Sequence, residues 1–159
     1  RMPEALGPRD VVGRNPGFIG SNFVIRRRAF EDVGGFDPDL RVVNDRDFVY
    51  RYLAAGHCYA VVEAPPVLQR KHGAGQLTRA TEMRAVGLEK YIDKHRAALS
   101  RRDLRSMRLS INRIRFHAAD RRADKLRFLV RGLLDASPSS VLESVRNRRQ
   151  LALWREGRR

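Results

Sequence analysis

Up to about residue 78 the chain is interrupted every few residues by glycine or proline, and beyond that point both become scarce. Pro3, Gly7, Pro8, Gly13 and Pro16 make loop of the first 16 residues. Gly34-Gly35, Pro38, Gly56, Pro65-Pro66 and Gly73-Ala74-Gly75 then limit every element to a few turns or a few extended residues. Phe18–Ile25 reads as a strand, because Phe23 and Ile25 are β-formers with Val24 between them. Arg28–Val33 is one or two turns of helix, stopped by Gly34-Gly35, since glycine readily takes the left-handed conformation that ends helices. Phe36-Asp37-Pro38-Asp39 is turn chemistry. Asn44–Ala55 predicts a helix capped by Asn44 or Asp45 and ended by Gly56, with Phe48, Val49, Tyr52 and Leu53 in one buried stripe. Cys58–Val62 and Val67–His72 read as two more short strands. Strands alternating with helices predict an α/β layer arrangement with some parallel pairing.

From Thr78 onward the pattern is helical, in about four segments with breaks near Leu99–Asp103, Ala118–Arg122 and Ala136–Ser140. The last break carries Ser137 as a cap, Pro138 at the first helical position, and Ser140 with Glu143 at capping-box spacing. The expected organisation is therefore residues 1–78 as a mixed unit and 79–159 as a helical extension.

At 159 residues with 42% hydrophobic content the chain has the length of one domain and enough apolar material for a core. No run approaches the ~18 apolar residues of a membrane span, and no signal-peptide pattern opens the chain. The sequence begins at Arg1 rather than Met, as a processed or excised segment does. Cys58 is the single cysteine, which excludes an internal disulfide framework and leaves no Cys-rich zinc spacing. No Ser/His/Asp nucleophile pattern and no Walker-type phosphate loop is present.

Charge is distributed unevenly. Residues 1–89 carry 13 basic and 11 acidic residues, a net of +2; residues 90–159 carry 20 and 7, a net of +13. A near-neutral part followed by a basic arm suggests anionic partners, nucleic acid or anionic lipid. A GC-rich genome that writes Arg for any solvated charge gives the same bias, and there are four lysines (Lys71, Lys90, Lys94, Lys125) against 29 arginines. Nucleic-acid modules interleave aromatics with their cations. Here few stand among the arginines of the arm (Phe116, Phe128, Trp154), so nucleic acid is the weaker candidate.

Several polar residues invite chemistry, each with a plainer alternative. Asp45 and Asp47 open the Asn44–Ala55 helix, where its dipole favours acids by ~0.3–1 kcal/mol each, and Asp47 can pair with Arg51 four residues on. Arg70-Lys71-His72 can neutralise phosphate or simply end a solvated strand. Gly20 and Ser21 allow a backbone to approach a ligand closely, or merely start a strand tightly.

Taken in order, Gly20-Ser21-Asn22-Phe23-Val24-Ile25-Arg26-Arg27, Phe30-Glu31-Asp32-Val33-Gly34-Gly35-Phe36-Asp37 and Asn44-Asp45-Arg46-Asp47-Phe48, followed by Arg51, Gly56 and Arg70-Lys71-His72, resemble the acceptor-side half of family 2 glycosyltransferases of the GT-A fold. The resemblance covers about residues 17–78. It implies a partial GT-A, Rossmann-like (nucleotide-diphospho-sugar transferase) half-domain followed by the basic all-helical extension. Asp45 is then the catalytic base, with Gly20, Ser21, Gly35, Asn44, Asp47, Arg70 and Lys71 around the substrates and His72 as a metal ligand. The implied donor is a nucleotide-sugar, the acceptor a saccharide or lipid-linked glycan, and the cofactor Mg²⁺ or Mn²⁺. The implied location is cytoplasmic, peripheral at the inner membrane face through the basic tail, as in polysaccharide biosynthesis. Two departures stand out. The upstream nucleotide-binding half with its metal-holding Asp-x-Asp is not in this sequence, and Asp45-Arg46-Asp47 lies at the acceptor-side acid instead. Asn44 replaces the Glu that many relatives carry. The segment alone is thus expected to be inactive. The competing readings are a non-enzymatic basic binding module and a half-domain retained only for assembly.

Overall fold

The structure, a computed structural model, describes residues 3–62 and 81–136. Among these residues it is helical: α1 Pro8–Val12, α2 Arg27–Asp32, α3 Asn44–Ala54, α4 Glu82–Lys94, α5 Arg101–Ala118 and α6 Arg122–Asp135. No strand occurs among the described residues, so the expected α/β, Rossmann-like GT-A half-domain is corrected to a helical arrangement. The reason is physical. Phe23, Val24 and Ile25 carry β-forming side chains, but a strand exists only where its backbone pairs with another. Residues 23–26 and 57–62 form no ladder and no regular element here, and Val24 and Val62 point into solvent. What holds these segments is side-chain packing: Phe23 stacks on Phe48, and Phe18 meets Tyr59 edge-on. The third expected strand, Val67–His72, and the Ser137-Pro138 helix start lie outside the described residues.

The helix limits follow local chemistry. After α2, Gly34 and Gly35 take φ of +76° and +63°, and their N–H groups donate to Glu31 and Phe30 carbonyls, closing the helix end. The α3 cap differs from expectation: Val43, at φ +60°, occupies it, and Asn44 and Asp45 fall in the first turn. There they serve the exposed N–H groups from within, Asn44 Oδ1 accepting from Asp45 N at 2.8 Å and Asp45 Oδ1 from Arg46 N at 2.7 Å. Thr81 caps α4, and Ser100 caps α5 in a reciprocal box with Asp103. The α4–α5 and α5–α6 junctions fall at the expected breaks.

Two apolar clusters meet at α1. Val11 joins Phe18, Phe48, Val49 and Leu53, with Phe23, Phe30 and Tyr59 packed around them. Val12, its neighbour, joins Leu40, Leu88, Tyr91 and Ile92 of the next cluster, which continues into Met107, Ile111 and Ile114. The core therefore runs across position 78, and α4 and α5 share it with the N-terminal residues. At the crossing a Cβ on Gly87 would stand 2.0 Å from Val42 Cγ2, so α4 approaches the loop before α3 as closely as a bare backbone allows. No described helix is long and apolar enough to cross a membrane.

Candidate functional site

The polar groups of interest gather where α3 begins and α4 ends. Arg46 is buried. It donates from Nε to Val11 O at 3.2 Å and from NH2 to Val12 O at 2.7 Å, and its guanidinium lies 4.7 Å above the Tyr91 ring. Tyr91 OH donates to the same Val12 carbonyl at 3.0 Å. The carbonyls that end the short α1, which have no helical partner, are thus satisfied from α3 and α4. Burial pushes the Tyr91 hydroxyl up to about 12, and burial lowers the Arg46 guanidinium from its ordinary value.

Asp47, one residue on, is fully buried. Its Oδ2 accepts from Arg51 Nε at 2.9 Å, with Arg51 NH2 at 2.8 Å; its Oδ1 lies 2.7 Å from His95 Nε2 and 2.8 Å from Lys94 Nζ. Burial alone would raise this carboxyl, but hydrogen bonds from His95, Lys94 and Arg51 outweigh it and hold the group well below the usual carboxylate range. The same cations reach further. Arg51 also donates to the carbonyls of Val33 and, at 2.6 Å, Gly35, while Lys94 Nζ stands 2.6 Å from Asp37 Oδ2. The Val33-Gly34-Gly35-Phe36-Asp37 turn is therefore fastened at both ends by two cations that meet on Asp47.

Asp45 stands differently. It is half-buried in the first turn of α3, its Oδ1 on Arg46 N, and its Oδ2 makes no hydrogen bond among the described residues. Three, four and seven residues on, Phe48, Val49 and Tyr52 share its helix face. Those three, with Leu53, floor a cleft of about 950 Å³ walled by the segments around Phe23–Arg26 and His57–Val62. Asp45 itself is not among the residues that line the cleft. Ser21 lines the cleft; Gly20 is exposed nearby on the turn closed by Asn22 N to Ile19 O, with open space where a side chain would be. Gly35 is buried in its turn and linked through Arg51 to Asp47. Asn44 serves the α3 backbone. Arg70, Lys71 and His72 lie outside the described residues.

The residues not foreseen are Tyr91, Lys94 and His95. Tyr91 and Lys94 belong to α4 and His95 caps its C-terminal end, far from their partners in sequence, and their spacing alone signals only a buried face. His95 is enclosed, with Tyr50 and Tyr91 rings each 4.6 Å away, so the Asp47–His95 pair is buried and ties α3 to the end of α4. Among the described residues no group of three or more His, Cys, Asp or Glu side chains is placed to hold a metal ion. A second cleft, of about 750 Å³ between α4, α5 and α6, is lined by Glu82, Arg115, Asp124, Arg127 and Arg131; Arg115 is held there by Glu82 and Glu89. No family model, no curated protein and no solved structure matches the chain.

Proposed function

We propose that this chain supplies the acceptor pocket and general base of an inverting glycosyltransferase, with Asp45 as the base. What supports the reading, beside the motif order, is the division of labour between the two carboxylates of α3. Asp47 is consumed by Arg51, Lys94 and His95. Asp45 keeps an oxygen with no hydrogen-bond partner among the described residues, one turn before Phe48 and Val49 of the apolar cleft. In the reaction an acceptor hydroxyl, bound against Phe48 and Tyr52, gives its proton to Asp45 as its oxygen bonds to the anomeric carbon of the donor. The nucleoside diphosphate departs from the opposite face with the electron pair of the breaking C–O bond. A carboxylate in hydrogen-bond reach of the attacking hydroxyl is worth typically 10²–10⁴-fold. Ser21 adds a hydroxyl to the same cleft, and the Arg51 and Lys94 clasps fix the turn beside it. The divalent ion that steadies a leaving diphosphate belongs to the donor side, whose ligands are not among the described residues, and the acceptor is a saccharide or lipid-linked glycan.

The experiment is sugar transfer by the polypeptide that carries this segment, comparing Asp45→Asn with Asp47→Asn. Asp45→Asn is expected to lower kcat about 10²-fold or more with little change in donor affinity and an unchanged melting temperature. Asp47→Asn should instead lower the melting temperature. Near-normal turnover of the Asp45→Asn enzyme overturns the assignment. By the same reading residues 1–159 alone release no nucleoside diphosphate from nucleotide-sugars with Mn²⁺; clear turnover would mean that the donor site is within this chain.

A further inference from the structure

Helix α6 is built inside out. Its seat on α5 is narrow and partly polar: Gly132 faces Leu109 and Asn112, and Asn112 Nδ2 donates to Asp135 Oδ2 at 3.0 Å. The large apolar residues lie elsewhere. Leu126, Leu129, Val130, Leu133 and Leu134 follow the i, i+3, i+4, i+7, i+8 spacing of one helix face, and each is between 47% and 81% exposed. In a core-facing helix this stripe is the part that becomes buried. Here it points to solvent, and the cations Arg122 and Lys125 border it, while Arg127 and Arg131 line the cleft that holds Asp124. The acids of the helix are on the other side, Asp135 on Asn112 and Asp124 in the cleft beside Arg115.

We infer that the outer face of α6 is a docking surface for an anionic lipid bilayer, with the leucine stripe in the headgroup–acyl boundary and the bordering cations on lipid phosphates. Charge decides the occupant. A second copy of α6 would place the same cations against one another with no acid on that face to compensate. The chain after residue 136 is basic as well, Arg146, Arg148, Arg149, Arg155, Arg158 and Arg159 outnumbering Glu143 and Glu156, so it does not complement the face either. A nucleic acid would use the cations but leave the leucines in water. An anionic membrane takes both: interfacial helices combine an apolar face a few ångströms deep with Lys and Arg at the headgroup level. The inference stands apart from the transferase reading, since it uses neither Asp45 nor any residue of the cleft beside α3.

The test is flotation of the whole 159-residue chain with phosphatidylcholine vesicles, with and without one part in three phosphatidylglycerol. The parent chain is expected to bind the anionic vesicles, to release with rising salt, and to ignore the neutral ones. Leu126→Ser/Leu133→Ser, which leaves net charge unaltered, should weaken vesicle binding about tenfold or more. Amide hydrogen exchange of the parent should slow across residues 126–134 on vesicles, which reads the face without any substitution. Equal vesicle binding by the parent and the double variant overturns the inference and leaves only diffuse charge attraction. So does failure of the parent to bind vesicles, whether it self-associates through α6 or binds RNA instead.

Discussion

The Asp47 carboxylate and the His95 imidazole meet at 2.7 Å, both buried and 48 residues apart in sequence. The contact ties the first turn of α3 to the end of α4, and it is one of several that converge on Asp47. Removing one member of a buried charge network leaves the others desolvated without a partner, which costs about 3–5 kcal/mol. Asp47→Ala is therefore expected to destabilise the chain by that order, read as a lower urea midpoint. Asp45→Ala, at a half-exposed position with one backbone contact, should cost well under half as much. Equal losses from the two would mean that Asp47 is not the junction described here.

The same carboxylate sets a pH dependence. Its pKa in the folded chain is lowered from an ordinary value of 3.8, because the hydrogen bonds from His95, Lys94 and Arg51 overcome the effect of burial. A depressed acid stabilises the fold fully above the unfolded value and loses that contribution as pH falls below it toward the folded one. Asp37, lowered by its hydrogen bond from Lys94, acts with the same sign. The melting temperature should thus fall as pH drops below about 4. Asp47→Asn should start lower at neutral pH and fall less steeply in acid. Parallel profiles for the two proteins would remove Asp47 as the source.

What was legible in the sequence is what short-range chemistry decides. The Phe48, Val49, Tyr52 and Leu53 stripe, the Gly34-Gly35 stop and the helix junctions near residues 100 and 120 all depend on neighbours within a turn or two, and the structure has them. The Asp47–Arg51 pair at i,i+4 spacing was equally readable. The strands failed because β-forming residues favour an extended backbone and say nothing of a partner: no ladder joins residues 23–26 and 57–62. For the candidate site, Asp47 was readable as a helix-start acid or a partner for Arg51, but not its capture in the interior by Lys94 and His95, from an unforeseen neighbour. No local pattern announces a contact between residues 48 positions apart.

Arg51 offers a finer test of the turn it holds. Its planar fork bonds Asp47 on one side and the Val33 and Gly35 carbonyls on the other. Arg51→Lys keeps the charge opposite Asp47 but cannot span all three acceptors, since an ammonium is a single point on a flexible stem. A loss of about 1–2 kcal/mol is expected from the carbonyls left without donors. Hydrogen exchange should quicken at Gly34 and Gly35 more than at the α4–α5 contact. Uniform quickening throughout would mean that Arg51 supports global stability and not the turn in particular.

Gly87 tests whether the α4 approach to the N-terminal residues is as close as it looks. Its backbone faces Val42, where an added Cβ would come within 2.0 Å of Cγ2, far inside any tolerated contact. In an exposed helix interior Gly→Ala gains up to about 1 kcal/mol from propensity alone. Here the methyl group must displace Val42, which is itself buried beside Leu40, and overpacking of this kind costs about 1–3 kcal/mol. Gly87→Ala is expected to be destabilising despite its better helix propensity. Trimming the obstacle should reverse the sign: in a Val42→Ala background the same substitution should be neutral or stabilising. A double-mutant cycle in chemical denaturation measures the coupling directly. Additive effects would mean that α4 and the 40–43 loop do not touch at this point, and that the core does not cross from the N-terminal residues to α4 there.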